Sequence, residues 1–181
     1  MIDPSRLPNR VMLDTNILYF VFDQPTGRAH EVPSKALWDA LVRHKKEILI
    51  AAPTLAEFLR HGGAAPAVHN VEYIAFDARA AQLVAAALPL PAMKKSQQQS
   101  GVTKAAMKFD TLIMGCAARG RADALITYDA DFTALKANSV GATFGKLRIL
   151  SPNDFLVVPL AQGQSVAAAP VAQLTPGSVA D

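Results

Sequence analysis

Five carboxylates stand where this chain turns from apolar to polar, and their placement is the first sign of chemistry. Asp14 ends the apolar run Val11-Met12-Leu13, and Asp129 and Asp131 follow Leu125-Ile126-Thr127-Tyr128. Glu57 falls one turn into an expected helix, and Asp110 is set among Phe109, Leu112, Ile113 and Met114. An aspartate after a buried strand does no packing; it must be solvated, hydrogen-bonded or bound to a cation. Carboxylates gathered in one crevice repel one another unless a cation neutralises them. Hard divalent ions suit all-oxygen donors, so magnesium or manganese is the expected cofactor. Such a site can activate water for attack on phosphorus and stabilise the leaving oxygen. Arg60, Lys104 and Lys108 are the cations expected to steer substrate phosphates.

Each acid also has a plainer use. Asp14 can cap the helix that follows it. Thr54-x-x-Glu57 matches a capping box. Asp110, read as near the start of its helix, can oppose the helix dipole, and Asp129 and Asp131 can be turn formers. No single acid decides; their joint placement does. His30, His44, His61 and His69 form no pair with zinc-ligand spacing, although Glu57 and His61 share a helix face at i, i+4. Cys116 lies in an apolar helical stretch and reads as a buried, inert thiol. No Gly-rich phosphate loop follows a strand, so neither a dinucleotide nor a P-loop reading is warranted.

The elements that must position these groups alternate. Strands are expected at Val11–Leu13, Ile48–Ala52, Val71–Phe76, Ala124–Thr127 and Leu147–Leu150, each short and mostly apolar. Helices are expected from Ile17, over Ser34–Lys46 and Thr54–His61, after a capping Asp77 to about Leu88, and over Lys104–Arg119 with Gly120 as its stop. Residues 92–103, with Gln97-Gln98-Gln99, read as an exposed loop or a helix start. Strands alternating with helices predict an α/β fold: one Rossmann-like, three-layer domain with a parallel sheet flanked by helices. In such sheets the functional crevice lies at the carboxyl ends of the strands, near the reversal of strand order.

Length and composition agree. The 181 residues suit one domain, with 51% hydrophobic and 18% charged residues. The domain is expected over residues 1–158. Beyond Pro159 the chain is rich in Ala, Gln, Pro, Gly and Ser with no charge until Asp181, so 159–181 reads as a flexible tail. No apolar run approaches the roughly 18–20 residues that span a bilayer. Met1–Arg10 lacks the apolar core of a secretory signal, and the single cysteine fits a reducing compartment, so the cytoplasm is expected. The net charge of +3 is modest, but six basic residues against one acid between Lys94 and Arg121 can attract a phosphate backbone.

Taken in order, four motifs resemble those of PIN-domain nucleases. Val11-Met12-Leu13-Asp14-Thr15-Asn16 is similar to the family's opening motif, and Ala56-Glu57-Phe58 to its second. Phe109-Asp110-Thr111-Leu112-Ile113 with Ala117-Ala118 resembles the third, and Leu125-Ile126-Thr127-Tyr128-Asp129-Ala130-Asp131-Phe132 the fourth. Ile149-Leu150-Ser151-Pro152 resembles the final strand. The resemblance implies magnesium- or manganese-dependent endoribonuclease activity. It implies Asp14, Asp110 and Asp129 as metal ligands, Glu57 binding metal or positioning water, and Asp131 as a further or supporting acid. Asn16 and Thr127 match places where the family keeps small polar groups that orient ligands or phosphate. Many members are VapC-type toxins, which implies an antitoxin partner and a homodimer; residues 61–104 and the tail make this chain longer than a minimal toxin.

Two other readings stand beside this one. Asp129-Ala130-Asp131-Phe132-Thr133 spells the D-x-D-x-T signature of haloacid-dehalogenase-type phosphatases. That mechanism needs its nucleophile early in the fold, and only 48 residues follow Thr133. A PIN-like nucleic-acid-binding module without cleavage is the non-enzymatic alternative. Within the nuclease class, the residues themselves leave RNA and DNA equally open.

Overall fold

The computed structural model describes residues 2–23, 27–101 and 103–157. The expected domain end at 158 and the tail 159–181 lie outside the described residues. Five strands, β1 (Arg10–Leu13), β2 (Glu47–Ala51), β3 (Val71–Ile74), β4 (Ala124–Ile126) and β5 (Arg148–Leu150), form one sheet in the order β3-β2-β1-β4-β5. Every pairing is parallel. The expected α/β architecture is therefore the observed one.

The central strands are apolar because both faces of the sheet are covered. Val11, Leu13, Ile48, Ile50, Ala124 and Ile126 point to one face, against Ile17, Leu18, Leu37, Leu41 and Phe58. Met12, Leu49, Ala51 and Leu125 point to the other, against Met107, Ile113, Met114, Phe132 and Leu135. The first face is roofed by α1 (Thr15–Phe22), α2 (Glu31–Arg43) and α3 (Ala52–Arg60). The second is covered by α4 (Ala78–Ala87), α5 (Leu90–Ser100), α6 (Lys104–Arg119) and α7 (Asp131–Asn138).

Topology sets the site. The chain builds β1, β2 and β3 outward in one direction, then returns through α4–α6 to place β4 on the other side of β1. Strand order reverses between β1 and β4, and the carboxyl ends of those two strands flank the crevice such a reversal opens. Asp14 and Asp129 lie just past them. Among the described residues one strand, β5, follows the D-x-D-x-T segment.

Four expectations are corrected here. Residues 90–100 form a complete helix, α5, which buries only small residues, Ala92 and Ser96, and so lacks the large apolar stripe that reveals a helix in sequence. Residues 131–138 form a further helix, α7, which starts at the acidic turn and buries only Phe132 and Leu135 as large apolar residues. The capping box at Thr54 does not form: Pro53 sits in the first turn of a helix that starts at Ala52, so Thr54 lies inside it, buried and with its hydroxyl unpartnered. Asp110 is the seventh residue of sixteen in α6, beyond the first turn where the dipole argument applies. By contrast Asp77 caps α4 through Ala80 N–H, as expected. Gly120 ends α6, but with a right-handed backbone; the left-handed turn falls on Arg121.

Helix α6 approaches α4 closely at Gly115, where an added Cβ would lie 2.6 Å from Val84 Cγ2 and 3.2 Å from the Ala80 carbonyl oxygen. Because α6 carries Asp110, this contact fixes the depth of the acid. Gly115→Val is expected to destabilise the fold by about 1–3 kcal/mol through overpacking, in spite of its better helix propensity. Urea denaturation checks this, and an unchanged midpoint would contradict the close packing.

Candidate active site

Asp14 is the N-cap of α1, and its carboxylate is held by three donors. Oδ1 accepts from Thr15 N–H at 2.7 Å; Oδ2 accepts from the Asn16 amide at 2.7 Å and from the Thr127 hydroxyl at 2.7 Å. The capping reading of Asp14 is thus realised, and the same group stands at the crevice where the strand order reverses. Thr127 also accepts from Asp129 N–H at 2.8 Å, and Asp129 Oδ1 accepts from Asp131 N–H at 2.9 Å. The strand ends β1 and β4 are thereby tied together through side chains as well as through the sheet.

Asp110 reaches the same place from α6. One carboxylate oxygen from each of Asp110, Asp129 and Asp131 lies within 4.8 Å of the others. Asp14 and Glu57 stand outside this trio but line the same cleft, of about 480 Å³, with Asn16, Tyr19, Arg60, Phe109, Asp110 and Asp129. Arg60 is one turn beyond Glu57 on α3, so the two share a face. Tyr19 braces α3 by donating from its hydroxyl to the Glu57 carbonyl at 3.3 Å.

Electrostatics follow from confinement. Burial pushes Asp110 up to about 8, with the charges of Asp129, Asp14, Asp131 and Glu57 adding to the effect. Asp14 rises to about 6 through burial; its bonds from Thr127 and Thr15 oppose the rise, and Asp129 and Glu57 add to it. Asp131 is raised by burial and by Asp129. Cys116, by contrast, is buried away from the cleft with its thiol pushed up to about 11, the inert group expected.

The donor set fits a hard divalent cation. Asp110 is only 8% exposed, and its Oδ2 is buried with no hydrogen-bond partner among the described residues. A buried, orphaned carboxylate oxygen is costly unless something positive meets it. Among the described residues no histidine or cysteine joins the cluster, and an all-carboxylate set suits magnesium or manganese rather than zinc.

The remaining expected residues divide. Asn16 lines the cleft while serving Asp14, but Thr127 is buried behind Asp14 and orients it. Arg60 lines the cleft. Lys104 and Lys108 do not: they border a separate groove with Leu90, Met93, Lys94, Gln97 and Met107, on the other side of α6. Tyr19 was not foreseen as a cleft residue. Its spacing of three from Asn16 on α1, which puts both on one face, was the available signal.

Residues 10–131 match the family described as PIN domain, a span that runs from β1 through Asp131. A comparison with curated proteins finds no match. Among solved structures, the fold is similar to a chain in the crystal structure of VapBC2 from Rickettsia felis bound to a DNA fragment from their promoter. That match has 18% identity and a TM-score of 0.50, covering 78% of this chain and 97% of the other. A chain of DNA-bound VapBC from Salmonella typhimurium also matches, with 17% identity, a TM-score of 0.46, and 79% and 98% covered. With its five parallel strands and the acids that follow β1 and β4 facing Asp110 of α6 in one cleft, the chain belongs to the PIN-domain family.

Proposed function

We propose that this chain is a divalent-cation-dependent endoribonuclease of the VapC type. The observation that carries the proposal is the buried, unpartnered Asp110 carboxylate oxygen, set among Asp129 and Asp131 at the reversal of strand order. Asp110, Asp129 and Asp131 would hold the ion, with Asp14 beside them kept in one orientation by Thr15, Asn16 and Thr127. A magnesium or manganese ion there supplies charge neutralisation and activation of water for attack on phosphorus.

The chain's own groups do the rest. Glu57 faces the cleft and accepts the proton of the attacking water. Arg60, on the same face, binds a non-bridging phosphate oxygen and fixes the scissile bond. In this reading the protein is a toxin masked by a small antitoxin, acts as a homodimer and works in the cytoplasm. No described helix is long and apolar enough to cross a membrane. The DNA in the Rickettsia felis complex is a promoter fragment, so it is no guide to what the cleft cuts.

Labelled single-stranded and structured RNAs, incubated with magnesium, manganese or EDTA, test the proposal. The wild type is expected to cut only with metal, Asp110→Asn and Asp14→Asn to lose cutting, and Glu57→Gln to slow it by about 10²–10⁴-fold. Binding without cutting in any metal would leave the non-cleaving module as the better reading.

Confinement also predicts how stability varies with pH. Asp110 binds its proton up to about 8 when folded but only to about 4 when unfolded. Between those values the native state holds more protons, so stability of the metal-free protein falls as pH rises from about 4 to about 8. Asp110→Asn should flatten that fall, and magnesium should reverse it for the wild type at pH 8. Thermal melts across this range check both; parallel curves for wild type and variant would contradict the confinement.

A further inference from the structure

A second recess opens beside the acidic cleft and shares two residues with it. It has a volume of about 340 Å³ and is bounded by Asn16, Tyr19, Phe20, Asp23, Arg28 and His61. Asn16 and Tyr19 also line the acidic cleft, so the two form one continuous surface along α1. From this continuity we infer that the recess is a nucleobase subsite, which seats the base next to the scissile phosphodiester and selects unpaired strands. The inference deepens the nuclease reading and rests on it for the identity of the polymer.

The walls are aromatic and held in place. The Tyr19 ring meets His61 edge-on at 5.6 Å and packs on Phe58 at 5.6 Å. Phe20 is braced by His30 at 5.5 Å and by Tyr128 at 5.6 Å. Rings fixed this way lose little freedom when a flat ligand arrives, which favours stacking of a base. Arg28, on the rim, and Arg60, in the adjoining cleft, have no ion-pair partner among the described residues. They are free to meet phosphates on either side of the seated base. Asp23 repels phosphate, so the recess takes a base rather than backbone; its carboxylate can accept from an exocyclic amine.

Strand selectivity follows from access. A base in a duplex is stacked and paired, and entering the recess would require flipping it out at a cost of unstacking. An unpaired base enters freely. The volume is close to the lower end for drug-sized ligands, which suits one ring system on a longer polymer.

The test is binding in EDTA, where cleavage plays no part. Fluorescence anisotropy compares wild type, His61→Ala and Phe20→Leu on three probes: a labelled single-stranded oligoribonucleotide, the same sequence in a duplex, and an abasic backbone of equal length. His61 is exposed, so its variant keeps the test valid should Phe20→Leu loosen its contacts with His30 and Tyr128. The wild type should prefer the single strand over both other probes by about tenfold or more. Both variants should erode that preference while leaving duplex binding unchanged. Equal binding of all probes, or variants that weaken every probe alike, would overturn the subsite. Binding of an acidic, aromatic peptide that is lost in His61→Ala, with RNA binding unaffected, would overturn it in favour of a protein partner. Selective binding by a chain that never cuts would leave the subsite standing and remove the nuclease reading.

Discussion

The structure turns on the repulsion between carboxylates gathered in one largely buried crevice. Asp110, Asp129 and Asp131 converge within 4.8 Å while Asp14 and Glu57 face the same cleft. In a folded chain of marginal stability such a gathering persists only because the surrounding packing over-determines it. Two sets of contacts do this. Thr127 and Asn16 pin Asp14 to the end of β4, and the close approach of α6 to α4 at Gly115 leaves Asp110 no room to withdraw. The excess negative charge suits a positive ligand, and together the acids would hold a cation more tightly than any one of them by itself.

The rest of the fold is arranged around that demand. Reversal of strand order between β1 and β4 brings together residues more than a hundred positions apart in sequence, and the long return through α4, α5 and α6 supplies Asp110 from a third direction. Because both faces of the central strands are buried, the sheet cannot slip in register without exposing apolar residues. The positions of Asp14 and Asp129 at adjacent strand ends are therefore as fixed as the core itself.

Much of this was legible in sequence, for physical reasons that can be named. The central strands β1, β2 and β4, buried on both faces, read as short apolar runs, and the acids that follow β1 and β4 stand out against them; the edge strands β3 and β5 are legible from their apolar residues although each is partly exposed. The motifs around Asp14, Asp110 and Asp129 carried the family. What was missed had weak or misleading signals. Helix α5 packs through Ala92 and Ser96, which leave no apolar stripe. The Thr54–Glu57 pair imitates a capping box, but Pro53 starts the helix earlier and leaves Glu57 free for the cleft. Lys104 and Lys108 were grouped with Asp110 by proximity in sequence. At about 100° per residue they lie about 240° and 200° around the helix from it, so the helical period already placed them on another face. The aromatic recess of α1 was not legible, because it depends on His61 and Arg28 arriving from other elements.

A manganese titration followed by electron paramagnetic resonance, comparing the wild type with Asp110→Asn near neutral pH, probes the carboxylate cluster itself. If the confined carboxylates exist to hold a divalent cation, the wild type will bind manganese, magnesium will compete for it, and the variant will lose the site while remaining folded. A wild type that leaves manganese free in solution, or a variant that binds it equally well, would contradict the account.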